Sequence, residues 1–165
     1  MAILIDGFNL IYKFPDLEAL MYEEKLYEAR IGLLNKLKEY MRIRKRDIRV
    51  VFDGKKAPSL ELRSERSGTI DVYYSLDYSA DFLIKEFIKK DLNPRMTTVV
   101  TSDKDIIAYV TRFKARVMTS EEFAAEVNRA FEQWEEENTR EKEDDPVVSE
   151  EDVSFWENLF KKKRK

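Results

Sequence analysis

The sequence predicts an α/β fold of three layers, with a mostly parallel central sheet of about five strands flanked by helices. Three observations predict it: short apolar runs of strand character recur along the chain, helical apolar patterns separate them, and capping residues stand where those helices would begin.

The strand runs are Ala2-Ile3-Leu4-Ile5, Ile48-Arg49-Val50-Val51-Phe52, Ile70-Asp71-Val72-Tyr73-Tyr74, Thr97-Thr98-Val99-Val100-Thr101 and Ala115-Arg116-Val117-Met118. Most are nearly continuous rather than alternating, as strands buried on both faces require. The run from Ile70 is the one that also suits an edge or antiparallel strand. Helical spacing covers about 23–44 (Leu26, Ile31, Leu34, Leu37, Met41), 80–92 (Phe82, Leu83, Phe87, Ile88), 103–113 (Ile106, Ile107, Val110) and 120–142 (Phe123, Val127, Phe131, Trp134). Strands alternating with helices imply right-handed parallel crossovers. Ser79 and Ser102 read as N-caps, with Asp105 three residues after Ser102 in a capping-box position, and Thr119 with Glu122 repeats that arrangement. Helix starts are thus better marked than helix ends.

Residues 54–69 hold Lys55, Lys56, Pro58, Arg63, Arg66 and Gly68 with little periodicity, and read as a long basic loop. The expected organisation is one globular domain over 1–143, then an acidic linker and a short amphipathic basic tail over 144–165. In that tail Val153, Phe155, Trp156, Leu159 and Phe160 precede five basic residues, Lys161 to Lys165. It reads as a segment that docks a protein partner, RNA or an anionic surface, or folds back on the acidic helix.

With 165 residues, 43% of them apolar, the chain has material for one core. It contains no Cys and no His. Disulfide scaffolds, thiol nucleophiles, Cys/His zinc sites and imidazole acid–base chemistry are therefore excluded. Catalysis near neutral pH would fall to carboxylates, lysines, hydroxyls or a metal on oxygen ligands. The start of the chain lacks the basic, long apolar pattern of a signal peptide, and no run approaches the ~20 apolar residues of a membrane span, so a cytoplasmic protein is expected. The net charge of -3 hides a division: residues 1–118 carry 22 Lys and Arg against 18 Asp and Glu, and 119–165 carry 8 against 15. The basic surplus lies in the globular part, where a polyanion could bind.

Three runs end in aspartate: Asp6 after Ile5, Asp53 after Phe52, and Asp103 two residues after Thr101. In a parallel sheet all strand C-termini share one edge, so these acids meet in the crevice where such sheets bind ligands. Asp81 joins them from the first turn of the helix after Ser79. Asn9 stands three residues after Asp6, where it could orient that acid or contact substrate. Clustered carboxylates repel one another unless a cation or raised pKa values relieve the charge. Oxygen donors suit Mg²⁺ or Mn²⁺, which also bind phosphate oxygens and activate water. Metal-assisted phosphodiester hydrolysis is the chemistry this set fits.

Each acid also has an ordinary explanation as a turn, cap or helix-dipole residue; their coincidence on one edge carries the argument. Lys55, Lys56, Arg63 and Arg66 follow Asp53 closely enough to overhang the acidic mouth and grip RNA phosphates, or to be an ordinary loop. Arg42, Arg44, Lys45, Arg46 and Arg49 belong to the opposite edge. Tyr12, Phe14, Tyr74 and Tyr78 lie near strand ends, where bases could stack, though core packing should claim at least half.

The run Ile5-Asp6-Gly7-Phe8-Asn9-Leu10-Ile11, the Val51-Phe52-Asp53-Gly54 strand end, Ser79-Ala80-Asp81 and Val99-Val100-Thr101-Ser102-Asp103 occur in this order. Together they resemble the NYN-domain ribonucleases of the YacP-like group, relatives of the PIN-like nucleases, over about residues 1–125. The resemblance implies a Rossmann-like PIN/NYN-type fold and metal-dependent RNA cleavage by clustered aspartates. On matching positions it implies Asp6, Asp81 and Asp103 as the main metal-site acids, Asn9 as a supporting residue, and Asp53 beside them. Phe8 stands where Tyr is common. Lys85 with Glu86 stands where an acid often follows the Ile of the Ser/Thr-Ala-Asp helix, and Lys104-Asp105-Ile106-Ile107 departs from the usual polar pattern.

The expected activity is an endoribonuclease using Mg²⁺ or Mn²⁺ and leaving 5′-phosphate and 3′-OH ends. A non-catalytic RNA-binding or adaptor module of the same fold is the alternative. Receiver-type phosphoacceptor and Asp-nucleophile phosphatase readings fit less well, because Gly7 and Phe8 stand where further acids would be needed after Asp6.

Overall fold

The computed structural model describes residues 2–54, 64–75 and 78–144. Six strands form one sheet: β1 (Ala2–Asp6), β2 (Asp47–Asp53), β3 (Ser64–Ser67), β4 (Ile70–Ser75), β5 (Thr97–Val100) and β6 (Arg116–Met118), in the order β3-β4-β2-β1-β5-β6. All neighbours are parallel except β3, which runs antiparallel to β4.

Two layers of helices cover the sheet. On one face lie α1 (Gly7–Ile11), α2 (Pro15–Tyr22), α3 (Leu26–Ile43) and α6 (Ser120–Asp144), packed on Ile3, Ile5, Val50, Phe52, Val72 and Tyr74. On the other lie α4 (Ala80–Lys90) and α5 (Lys104–Arg112), whose Ile84, Ile88, Ile106 and Val110 meet Leu4, Val51 and Val99. The continuous apolar runs follow from this sandwiching, since alternate residues feed different cores. Among the described residues no helix is long and apolar enough to cross a membrane.

Several sequence expectations are corrected. The helix expected over 23–44 is α3, starting three residues later than the spacing implies, whereas α1 and α2 fill the stretch before it, where no helix is expected. The break between α2 and α3 is a Schellman turn: Lys25 N–H bonds to Leu20 O at 2.9 Å, Glu24 N–H bonds to Met21 O at 3.1 Å, and Glu24 is left-handed with φ 60°. Glycine usually marks that position, and Glu24 hides it. Lys114 (φ 63°) ends α5 in the same way, with Lys114 N–H on Thr111 O and Ala115 N–H on Val110 O.

The long basic loop is shorter than expected, because Ser64–Ser67 is an edge strand joined to β4 through Gly68 at φ 63°. That hairpin raises the strand number to six and moves β4, the strand open to an edge or antiparallel reading, to a parallel place beside β2. Ser102 does not cap α5; Asp103 does, accepting from Asp105 N–H (2.9 Å) and Ile106 N–H (3.3 Å). Ser79 caps α4 through Phe82 N–H at 3.1 Å, and Thr119 caps α6 in a reciprocal pair with Glu122. The tail over 145–165, with the docking role expected of it, lies outside the described residues.

Gly7 is fixed by packing. A Cβ there would sit against the Phe52 ring closer than real carbon contacts allow, and Phe52 is fully buried. Glycine lets α1 turn directly off the end of β1. Gly7→Ala is expected to destabilise the fold by about 1–3 kcal/mol, as overpacking does, read as a lower midpoint in urea unfolding with an unchanged m-value.

Candidate active site

Strand order places the site. From β1 the chain moves to β2 on one side; after β4 it crosses back to β5 on the other side of β1. The switch point lies between the C-terminal ends of β1 and β5, where open α/β sheets form their ligand crevice. Asp6 ends β1 and Asp103 follows β5 at the start of α5. Asp81 comes in on the first turn of α4. By strand alternation Asp6 and Asp53 both belong to the face covered by α4 and α5, opposite to Ile5 and Phe52.

Asp6 is held from two directions. Thr101 Oγ1 donates to its Oδ2 at 3.1 Å, and the backbone N–H of Asn9 also reaches its carboxyl. The Thr101 hydroxyl in turn accepts Asp103 N–H at 3.1 Å, so one buried hydroxyl links two of the acids. Burial raises the Asp6 pKa to about 6; the Thr101 and Asn9 hydrogen bonds oppose this, while the charges of Asp103 and Asp81 add to it. These three carboxyls therefore act on one another. Asp53 stands at the end of β2 opposite Ser75.

Asp81 faces a cation of the protein's own. Lys85 Nζ lies 3.0 Å from Asp81 Oδ1 and 2.6 Å from Asp105 Oδ2, and both acids hold the lysine pKa above its usual value, Asp105 foremost. Asp81 Oδ1 is buried, and the Lys85 ammonium is the cation set against it. Asp105, expected as a capping-box acid, is instead a surface partner of Lys85.

The side chain of Asn9 serves the loop rather than Asp6. Its Oδ1 accepts Ser102 N–H at 2.9 Å and the fully buried Ser120 hydroxyl at 2.5 Å, tying α1 to the turn before Asp103 and to the start of α6. Ser102 Oγ donates to Glu121 at 2.6 Å and accepts Ser120 N–H at 3.0 Å. Lys13, 2.7 Å away, and then Ser102 hold the exposed Glu121 carboxyl down at about 2.

The basic residues divide. Lys55, Lys56 and Arg63 lie outside the described residues. Arg66 does not overhang the acids: it sits in β3 opposite Asp71, 3.8 Å away, near the start of β4 and hence toward the edge remote from the strand C-termini. The hairpin turns it there. Of the four aromatics, Phe14 and Tyr74 are core, whereas Tyr12 and Tyr78 are exposed. Tyr78 stacks on Phe82, with centroids 4.7 Å apart, beside Asp81.

The sequence reading did not single out Thr101, Lys85's pairing, Ser120 or Glu121. Two had a signal: a Thr two residues before an acid closes a Ser/Thr turn, and Asp81 with Lys85 is an i,i+4 pair. Ser120 had none, lying 111 residues from its partner.

Among the described residues no group of three or more carboxylates is arranged as a ready cation cage. The donors do fit an ion that keeps most of its waters and takes one or two carboxylates plus substrate oxygens, as Mg²⁺ and Mn²⁺ do. The raised pKa of Asp6, to which the charges of Asp103 and Asp81 contribute, is the observation that favours such a group.

Acids at the switch point of a largely parallel sheet flanked by helices make this a three-layer α/β domain with its candidate site at the strand C-terminal edge. The YacP-like NYN domain matches residues 3–161, and the chain belongs to that family, which is generally of nuclease type. The match runs past residue 125, where the motif resemblance stops. Among solved structures the chain is similar to the crystal structure of Rae1 (YacP) from Bacillus subtilis, at TM-score 0.74 and 22% identity, covering 98% of this chain and 91% of that one. A tryptophan-to-leucine mutant of Rae1 superposes at TM-score 0.72 and 22% identity, over 90% and 87% of the two chains. No curated protein matches in sequence.

The raised Asp6 pKa has a stability consequence. Unfolded, the acid loses its proton near 3.8; folded, near 6. Between those values the folded state binds more protons, so stability falls as pH rises through the window and stays reduced above it, by roughly 2–3 kcal/mol. Asp6→Asn should melt above wild type at pH 7.5 in EDTA, and the advantage should vanish near pH 4. Asn9→Ala would strand the Ser102 N–H and the Ser120 hydroxyl; a loss of about 1–3 kcal/mol in denaturant unfolding is expected.

Proposed function

We propose that this chain is a metal-dependent endoribonuclease that hydrolyses RNA phosphodiester bonds at the Asp6–Asp81–Asp103 centre, leaving 5′-phosphate and 3′-OH ends. The observation that carries the reading is the mutual action of those three carboxyls at the switch point, with Asp6 raised to about 6. Mg²⁺ or Mn²⁺ held by Asp6, Asp81 and Asp103, with Asp53 at the margin, would supply an activated water and offset charge on the phosphoryl oxygens.

The chain's own residues do the rest. Thr101 holds Asp6 in place and fixes the turn that presents Asp103. Asn9 braces that turn from behind. Lys85 keeps a positive charge beside Asp81, where it can meet a phosphate oxygen. The exposed Tyr78–Phe82 stack next to Asp81 offers a platform for an unpaired base, which favours single-stranded RNA. With no histidine in the chain, water rather than the ribose 2′-OH is taken as the attacking group; it bonds to phosphorus as the P–O3′ bond breaks, and the departing 3′-oxygen takes up a proton, which leaves 5′-phosphate and 3′-OH ends. The compartment proposed is the cytoplasm. Lys55, Lys56 and Arg63 remain proposed backbone contacts; Arg66 is not among them.

The non-catalytic RNA-binding reading draws on one observation, the lack of a three-carboxylate cage among the described residues. The two readings part on a single assay. Labelled single-stranded RNA incubated with Mn²⁺ should be cut internally, cleavage should stop in EDTA, and Asp6→Asn and Asp103→Asn should each slow it by at least ~10²-fold while circular dichroism stays unchanged. Cleavage that persists in EDTA or in both variants would overturn the proposal; binding without cleavage would select the adaptor reading.

A further inference from the structure

Arg30 has surroundings that do not account for it. It lies in the second turn of α3, only 5% exposed, and its Nε and Nη1 find no hydrogen-bond partner among the described residues. Among the described residues it forms no ion pair. Its guanidinium carbon lies 5.7 Å from the ring centroids of both Tyr27 and Tyr74. The nearby acid, Glu65, is engaged by Tyr74, whose hydroxyl donates to Glu65 Oε1 at 2.7 Å.

A buried guanidinium cannot relieve itself by losing its proton, as a lysine or a carboxylate can. Two aromatic faces return part of the desolvation cost, but they satisfy none of the in-plane N–H groups. What those donors lack is an anion in the guanidinium plane. Two ring contacts on one guanidinium also limit its freedom, which favours the fixed fork that bidentate phosphate recognition needs.

The position suits the sheet edge already described. α3 leads into the first residue of β2, at the N-terminal edge, so its beginning lies at the C-terminal edge. Tyr74 pairs with Phe52, the residue before Asp53. Arg30 therefore lies along the same edge as Asp6 and Asp103, displaced toward β4 and on the opposite face of the sheet from α4 and α5. Tyr27, 64% exposed in side-chain-rich surroundings of α3, presents a ring at the surface beside it.

We propose that Arg30 is a phosphate subsite for the RNA backbone, with Tyr27 as a stacking face for an adjoining base. The proposal rests on RNA being the ligand of this edge, and it needs no cleavage to be tested. Binding of a labelled single-stranded oligoribonucleotide by the full chain in EDTA, measured across a salt series, is the experiment. Arg30→Met should bind about tenfold more weakly, and its log–log salt slope should fall by about 0.7, the value for one phosphate of a single strand. Inorganic phosphate should raise the melting temperature of wild type and not that of Arg30→Met, and the variant without phosphate should melt no lower than wild type. Tyr27→Ala should weaken RNA binding with the slope unchanged.

Unchanged affinity and slope in Arg30→Met would overturn the subsite. So would a variant that melts well below wild type while phosphate leaves wild type unprotected, since the guanidinium would then serve the fold. If Arg30→Met does not fold, Arg30→Lys decides: loss of affinity with retained charge supports the fork, and unchanged affinity removes it. Phosphate protection without any Arg30 effect on RNA would assign the site to a free anion and reject the RNA subsite. A chain that binds RNA through Arg30 and cuts nothing refutes the nuclease reading alone; a chain that cuts RNA and binds it equally well without Arg30 refutes this one alone.

Discussion

Everything at the candidate site depends on β1 being the inner strand of a parallel sheet, held between β2 and β5. Burial on both faces makes Ile3, Leu4 and Ile5 obligatory, and the shared strand direction carries the next residue, Asp6, to the edge where β5 also ends. An acid at that point is flanked by backbone and apolar side chains before any ligand arrives. Its desolvation is thus a property of the fold, and the neighbouring structure follows from it. Gly7 is needed because the chain must turn over Phe52 at once, and Thr101 is needed because the acid has to find a donor on β5's side.

The acids at this edge are compensated in different ways, and the differences separate roles. Glu121 lies in the open with Lys13 and Ser102 on it, and is held down to about 2. Asp105, also in the open, is lowered by Lys85. These are settled pairs at the surface, where ion pairs are worth little and call for no further ligand. Asp6 has a neutral hydroxyl and a backbone N–H instead, feels two other carboxyls, and is raised. Asp81 shares Lys85 with Asp105. Unmet electrostatic demand is therefore concentrated on Asp6, which the fold brings beside two other carboxyls.

The sequence was legible where one local pattern decides the outcome. Doubly buried strands leave continuous apolar runs, and β1, β2, β4, β5 and β6 were readable for that reason, as was the common edge of Asp6, Asp53 and Asp103. It was not legible where the usual residue is missing. Glu24 and Lys114 occupy left-handed positions that glycine normally signals, so the ends of α2 and α5 leave no mark. The polar strand Ser64–Ser67 has no apolar face to announce it, because an edge strand beside β4 need not bury one. At the start of α5 two cap-forming residues compete, and the spacing from Ser102 to Asp105 imitates a capping box. The structure gives the cap to Asp103 because the Ser102 hydroxyl is committed to Ser120 and Glu121. Contacts such as Asn9 with Ser120 have no local trace at all.

Charge counting illustrates the same limit from the other direction. The basic surplus of residues 1–118 suggests a surface for a polyanion, yet many of its members are placed by topology where they cannot serve the crevice. Arg44 and Arg46 belong to the α3–β2 connection at the opposite edge, where Arg44 bonds to Gln133 at 2.8 Å and Arg46 to the carbonyl of Lys45 at 2.9 Å. Arg66 is carried away by the β3–β4 hairpin toward Asp71. A cation that sums favourably with its neighbours in sequence can thus contribute nothing to the potential at the site, whereas Lys85, whose charge Glu86 cancels in sequence, stands against two acids there. For a fold that assembles its crevice from strand ends, the position of a charge relative to the switch point, and not the sign of the segment that carries it, decides what a ligand meets.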